Sequence, residues 1–156
     1  MNLTAPLHLF VTLWGRISQG LSLLQAPASL AARLFVANAF WLSGLTKIRD
    51  WDTTLALFGD EYKVPLLSPT VAAFMGTGGE LVLPVLLVLG LGGRFAAVGL
   101  SILNAVAVIS LSEIAPLALQ QHVLWGTLLA ALAVFGPGGW ALERWVWPKV
   151  VAWSEG

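Results

Sequence analysis

SPTVAAFMGTGGELVLPVLLVLG, residues 68–90, carries one ionisable side chain, Glu80, among apolar and small residues. At a rise of about 1.5 Å per residue, a helix of this length crosses the ~30 Å hydrocarbon core of a bilayer. Ser68 followed by Pro69 supplies a helix start, and Gly90 supplies a stop. The stretch lacks the alternation of a barrel strand, and only a helix satisfies its own backbone in lipid. It is therefore expected to be a transmembrane helix with an acid near its middle.

Three further windows of the same kind flank it, at 29–47, 93–112 and 116–135, the last ending at Gly136-Pro137-Gly138-Gly139. Ser29 is the expected cap of the first. Short connections join the last three windows, so those neighbours are expected to pack antiparallel. The longer connection, IRDWDTTLALFGDEYKVPLL, places Asp50 or Asp52 ahead of Leu55, Leu57 and Phe58, the pattern of a short interfacial helix over the bundle mouth. Upstream, Leu7, Phe10, Trp14, Ile17 and Leu21 recur at helical spacing opposite His8, Arg16 and Gln19, so residues 1–26 are expected to lie along the membrane surface. A secretory leader ending near Ala26-Pro27-Ala28 is the competing reading, disfavoured because Arg16 interrupts the apolar run. The predicted fold class is all-α: a four-transmembrane-helix bundle with an N-terminal interfacial amphipathic helix and a short interfacial helix between helices one and two. The 156 residues form one integral membrane domain, with 140–156 as a tail.

Composition agrees. Hydrophobic residues make up 58% of the chain and charged residues 10%, well below the roughly one quarter typical of soluble domains. Eight basic and eight acidic residues give zero net charge, which leaves no basic face for nucleic acid. The lipid bilayer is the expected partner. Cysteine is absent and only His8 and His122 carry imidazole, so no metal site and no resident cofactor are expected. Lys and Arg counting puts Arg16, Arg33, Arg94, Arg144 and Lys149 at one end and Lys47, Arg49 and Lys63 at the other. This predicts both termini in the cytoplasm, with Trp140, Trp145, Trp147 and Trp153 as an aromatic belt.

An acid at membrane depth costs roughly 2.5–3.5 kcal/mol, so Glu80 needs a reason. Asn38 on helix one and Asn104 on helix three fall at similar depth, which predicts a polar centre of Arg33, Asn38, Glu80 and Asn104. Depth arithmetic favours Arg33 as the partner of Glu80 and leaves Lys47 about one turn short. His122 reads as a satisfied histidine near the membrane interface. A register-fixing role for these groups weighs as much as a functional one, in which the carboxylate handles a proton or holds a polar head group.

Arg33, FWLSGLTKI, WDTTLALFGDEYKVPLL, Glu80 followed by LVLPVLLVLGLGGR, NAVAVIS, HVLWG and FGPGG occur in this order. The chain resembles the DoxX family of small four-helix membrane proteins over residues from about 30 to 140. The resemblance marks Arg33, Lys47, Glu80 and Arg94, and departs where Ala141 and Glu143 replace the usual serine and aspartate. It implies a bacterial inner-membrane protein linked to quinone-reactive oxidases, thiosulfate oxidation or oxidative stress. The long loop is similar to a subgroup encoded beside iron-dependent peptide-modifying oxidases and metal-binding peptide precursors, which implies metal stress. The expected function is a non-enzymatic accessory component of a redox or metal-stress system, its partner a membrane-associated or soluble redox or peptide-modifying enzyme. The alternatives are a quinone-interacting subunit, with the head group at Glu80, Asn38, Asn104 or His122, and a small transporter. A homo-oligomer is left open.

Overall fold

The computed structural model describes residues 4–154, with side chains from residue 7. The outermost residues of the N-terminal segment and of the tail, 1–3 and 155–156, lie outside the described residues. Among the described residues seven helices follow one another: α1 Thr4–Leu23, α2 Gln25–Arg49, α3 Trp51–Asp60, α4 Pro69–Leu89, α5 Gly93–Ser110, α6 Pro116–Phe135 and α7 Glu143–Ser154. No strand occurs among the described residues. Four helical stretches of the described residues are long and apolar enough to cross a membrane, and the first of them runs from Leu7 through α1 and α2 to Arg49.

Local chemistry sets the boundaries. Asp50 caps α3, accepting from Thr53 N at 3.0 Å and from Thr53 Oγ1 at 2.7 Å. The two hydrogen bonds from Thr53, the side-chain one foremost, hold the Asp50 carboxyl below its ordinary range. Ser68 caps α4, Pro69 occupies its first turn, and Gly90 ends it in the left-handed region at φ 66°. Ser29 is not the cap of helix one. Leu24 has helical dihedrals, so α1 runs into α2 almost without a break, and Ser29 Oγ instead donates to Pro137 O at 2.8 Å. The third span ends at Ser110, two residues earlier than its apolar window.

Spans α2, α4, α5 and α6 form the bundle. α2 packs along α4, α4 along α5 and α5 along α6, and a sparser contact between α2 and α6 closes the ring. Val36, Phe40, Leu87, Ala97, Leu100 and Leu129 fill its centre. Glycines let antiparallel neighbours approach: a Cβ on Gly79 would stand 2.7 Å from Leu103 Cδ1, and one on Gly99 would stand 2.8 Å from Leu83 Cδ1. These two glycines therefore serve packing inside the protomer. The outward faces keep large apolar side chains exposed, including Phe74, Phe95, Ile102 and Val123. In water such a surface would aggregate; in lipid it is the solvated face.

α3 folds over one end of the bundle, burying Phe58 against Ala72 and Ala73 of α4. Trp51 packs at a tilt on Phe74 with centroids 4.7 Å apart, and Lys63 N donates to Ser110 O at 2.8 Å, so this roof is fastened to both α4 and α5. α1 has apolar side chains exposed on every side, Leu9, Val11 and Leu13 as well as the expected face. Packing does not lay it against the bundle. The expected tail is helical as α7, with Trp145, Trp147 and Trp153 exposed.

Candidate functional site

Gly44 brings α2 against α4 so closely that a Cβ there would lie 3.2 Å from Glu80 Cβ. Beside this contact Lys47 Nζ donates to Glu80 Oε2 at 2.6 Å, to Glu80 Oε1 at 2.8 Å and to Ser43 Oγ at 2.8 Å. The two charged side chains are only 19% and 13% exposed. Thr54 of α3 donates to Lys47 O at 2.9 Å, which fixes the roof over the pair. Tyr62 follows α3 and packs on Phe58 with centroids 4.9 Å apart. Burial pushes its phenol above the ordinary 10.0, with smaller contributions from the charges of Glu80 and Glu61.

The expected Arg33–Glu80 pair does not form. Helical side chains slope toward the N-terminus of their own helix. On α2 that slope carries the Lys47 ammonium inward to the level of Ser43 and Glu80, and carries Arg33 away toward the opposite end. There the guanidinium is fully buried. It donates through Nη1 to Val88 O at 2.9 Å and Leu87 O at 3.4 Å, and through Nη2 to Trp140 O at 3.1 Å. Leu87 and Val88 offer carbonyls of the last turn of α4, which carries partial negative charge, and Trp140 offers one from the segment between α6 and α7. Leu142 N and Glu143 N complete the seal by donating to Leu89 O and Gly90 O. Ala141 is buried against Gly90, and Glu143 accepts from Gly93 N at 3.0 Å, capping α5.

The other candidates separate as well. Asn104 and His122 bond reciprocally across α5 and α6: Asn104 Nδ2 donates to His122 O at 2.9 Å, and Asn104 Oδ1 lies 2.8 Å from His122 Nδ1. Since the amide nitrogen is used on the carbonyl, the amide oxygen must accept, which assigns the proton to Nδ1 and leaves Nε2 bare in the neutral ring. Asn38 does not join a polar centre. It is exposed on the outer side of α2. Two grooves meet at it, one of about 440 Å³ lined by Leu34, Trp41, Pro84 and Val88 and one of about 310 Å³ lined by Phe35, Gln121 and Trp125. Arg94 is exposed at the Arg33 end, its guanidinium against the turn at Gly136. The four residues of the expected single centre thus occupy four separate places, because equal depth fixes neither the direction around each helix nor the slope along it.

Ser43, Thr54 and Tyr62 escaped the sequence reading. Ser43 was findable, since it stands four residues before Lys47 on the same helix face; Thr54 and Tyr62 join the site only through the fold of α3. Among the described residues, no three His, Asp or Glu side chains gather in a way that would hold a metal ion.

No curated protein and no solved structure matches the chain. A family model does, over residues 28–113, which include Arg33, Lys47, Glu80, Arg94 and Asn104 and end before His122 and the Gly136–Gly139 turn. Four apolar spans and this match over more than half the chain lead to one conclusion: this multi-pass membrane protein belongs to the DoxX family.

Proposed function

We propose that the chain is an accessory subunit of the bacterial inner membrane, serving a redox or metal-stress system through a partner enzyme instead of carrying out chemistry itself. The observation that carries this reading is the mutual commitment of Lys47 and Glu80. Both carboxylate oxygens already accept from the ammonium, and Ser43 takes a further proton of it. A pair held this way fixes helix register and offers a substrate little. The family resemblance supplies the redox and metal-stress setting, and a membrane-associated or soluble redox or peptide-modifying enzyme is the partner it suggests.

Charge distribution supports an orientation with both termini in the cytoplasm. The end holding Arg33 also carries Arg94, Arg144 and Lys149, against Lys47, Arg49 and Lys63 at the roofed end. Labelling cysteines introduced at 63 and 149 from either side of sealed vesicles checks this orientation. Purifying the full chain from its native membranes in mild detergent checks the function. A stoichiometric enzyme partner, retained in Glu80→Gln, is the expected result. Turnover of a substrate by the isolated chain in vesicles, lost in Glu80→Gln, overturns the reading.

A quinone-interacting subunit is the second reading, favoured by the groove between α2 and α6. Its lining offers the amides of Asn38 and Gln121 beside the rings of Phe35 and Trp125. Amide donors fit quinone oxygens, the rings fit its plane, and an apolar tail would lie in lipid. A bound quinone would supply electron acceptance; the chain's residues would orient the head group. Quenching of tryptophan fluorescence by ubiquinone, weakened in Gln121→Leu, is expected on this reading, and unchanged affinity in that variant discards it.

A further inference from the structure

Asn38 is the 14th of 25 residues in α2, at mid-depth of its span, and it faces out of the bundle. Its side chain makes no hydrogen bond to the described residues, so in a monomer a carboxamide would sit unpaired against hydrocarbon. The inward face of α2 is Arg33, Val36, Ala37, Phe40 and Gly44. Its outward face repeats at the same spacing, turned away from the bundle. Ala31, Asn38 and Leu45 recur every seven residues, and so do Leu34, Trp41 and Ile48. All of these are exposed except Leu45, which is partly so. This is the a and d spacing of a two-helix seam, with one asparagine at a central a position, the device that selects register and partner number.

We propose that the outward face of α2 is a parallel two-fold interface with a second copy of this chain, centred on Asn38 against the partner's Asn38. Copies inserted in the same orientation are related by an axis along the membrane normal, so residues near that axis meet their own counterparts at equal depth. A carboxamide is self-complementary: each can donate to the other's oxygen and accept from the other's nitrogen. The grooves of about 440 Å³ and 310 Å³ on either side of Asn38 are open to receive the partner's flanking side chains. Lipid tails fill grooves equally well but leave the amide without a partner. The interface does not depend on the accessory reading given above.

The chain contains no cysteine, so single-cysteine variants of the full-length protein report proximity directly. In phosphatidylethanolamine–phosphatidylglycerol vesicles, Leu34→Cys and Trp41→Cys should each oxidise to a dimer, and the inward Val36→Cys and Ala37→Cys should not. Adding Asn38→Leu should weaken association about three- to thirtyfold on dilution in lipid, and Asn38→Gln, which keeps the amide, should retain more of it. Asn38 is exposed and its side chain makes no hydrogen bond among the described residues, so helical content should be unchanged. A monomer at every protein-to-lipid ratio, equal cross-linking at inward positions, or undiminished dimer in Asn38→Leu overturns the proposal. So does a monomer whose ubiquinone binding is lost in Asn38→Leu, which would assign the face to a quinone.

Discussion

Lys47 reaches Glu80 from one helical turn nearer the roofed end of the bundle, its stem running back along α2 until Nζ lies 2.6 Å from Oε2 and 2.8 Å from both Oε1 and Ser43 Oγ. The pair joins the first two spans where Gly44 removes the bulk that would keep them apart. Because both charges are largely withdrawn from solvent, removing one leaves the other without compensation.

Lys47→Met or Glu80→Gln should therefore cost about 3–5 kcal/mol, and the double replacement Lys47→Met with Glu80→Leu should cost clearly less than the sum. Reversible unfolding in mixed micelles, arranged as a double-mutant cycle, measures the coupling. Additive losses would contradict a direct pair.

Arg33 holds two segments at once, the end of α4 and the carbonyl of Trp140. Arg33→Lys should be a poor substitute, since an ammonium lacks the planar fork that spans these acceptors. We expect losses on the order of 2–3 kcal/mol, with faster proteolysis after Trp140 as the segment leading into α7 detaches. An intact C-terminal segment in Arg33→Lys would show that the backbone bonds of Leu142 and Glu143 suffice.

Tyr62 is the only tyrosine, so the phenolate absorbance of the whole protein reports one group. Burial raises its folded pKa above the ordinary 10.0. A raised folded value means that the contribution to stability is complete below the unfolded pKa and is lost as pH climbs through the folded one. Alkaline titration should give a midpoint above 10.0. In Glu80→Gln the midpoint should fall only part of the way back, because burial is the larger cause.

Gly79→Ala should destabilise the α4–α5 contact by about 1–3 kcal/mol, because a Cβ would stand 2.7 Å from Leu103 Cδ1. Leu103→Ala in the same chain should recover part of the loss, a compensation that thermal unfolding in detergent can detect. No recovery would mean that the glycine serves something other than this approach.

Spans α4 and α6 were legible as apolar runs closed by signals with a local cause, since Ser68-Pro69, Gly90, Pro116 and Gly136 act through the backbone of their own segment. The start of α2 was not, because α1 runs into it and Ser29 does not cap it. The cap of α3 was legible as Asp50 or Asp52, again from a local cause, and it is Asp50. Arg33, Lys47 and Glu80 were legible as costly residues that need partners, yet their pairing was misread. Depth follows from counting residues, whereas direction around a helix and slope along it decide who meets whom. Asn38 shows the first of these and Arg33 the second.

Composition and the lengths of four apolar runs determined by themselves that this chain lives in lipid as a helical bundle, because transfer energy and backbone hydrogen bonding depend only on local sequence. Tertiary structure alone decided that Lys47 takes Glu80, that Arg33 seals the end of α4, that Asn104 holds His122 and that Asn38 faces outward. Those outcomes depend on the relative rotation of packed helices, which glycines and core side chains distant in sequence set together.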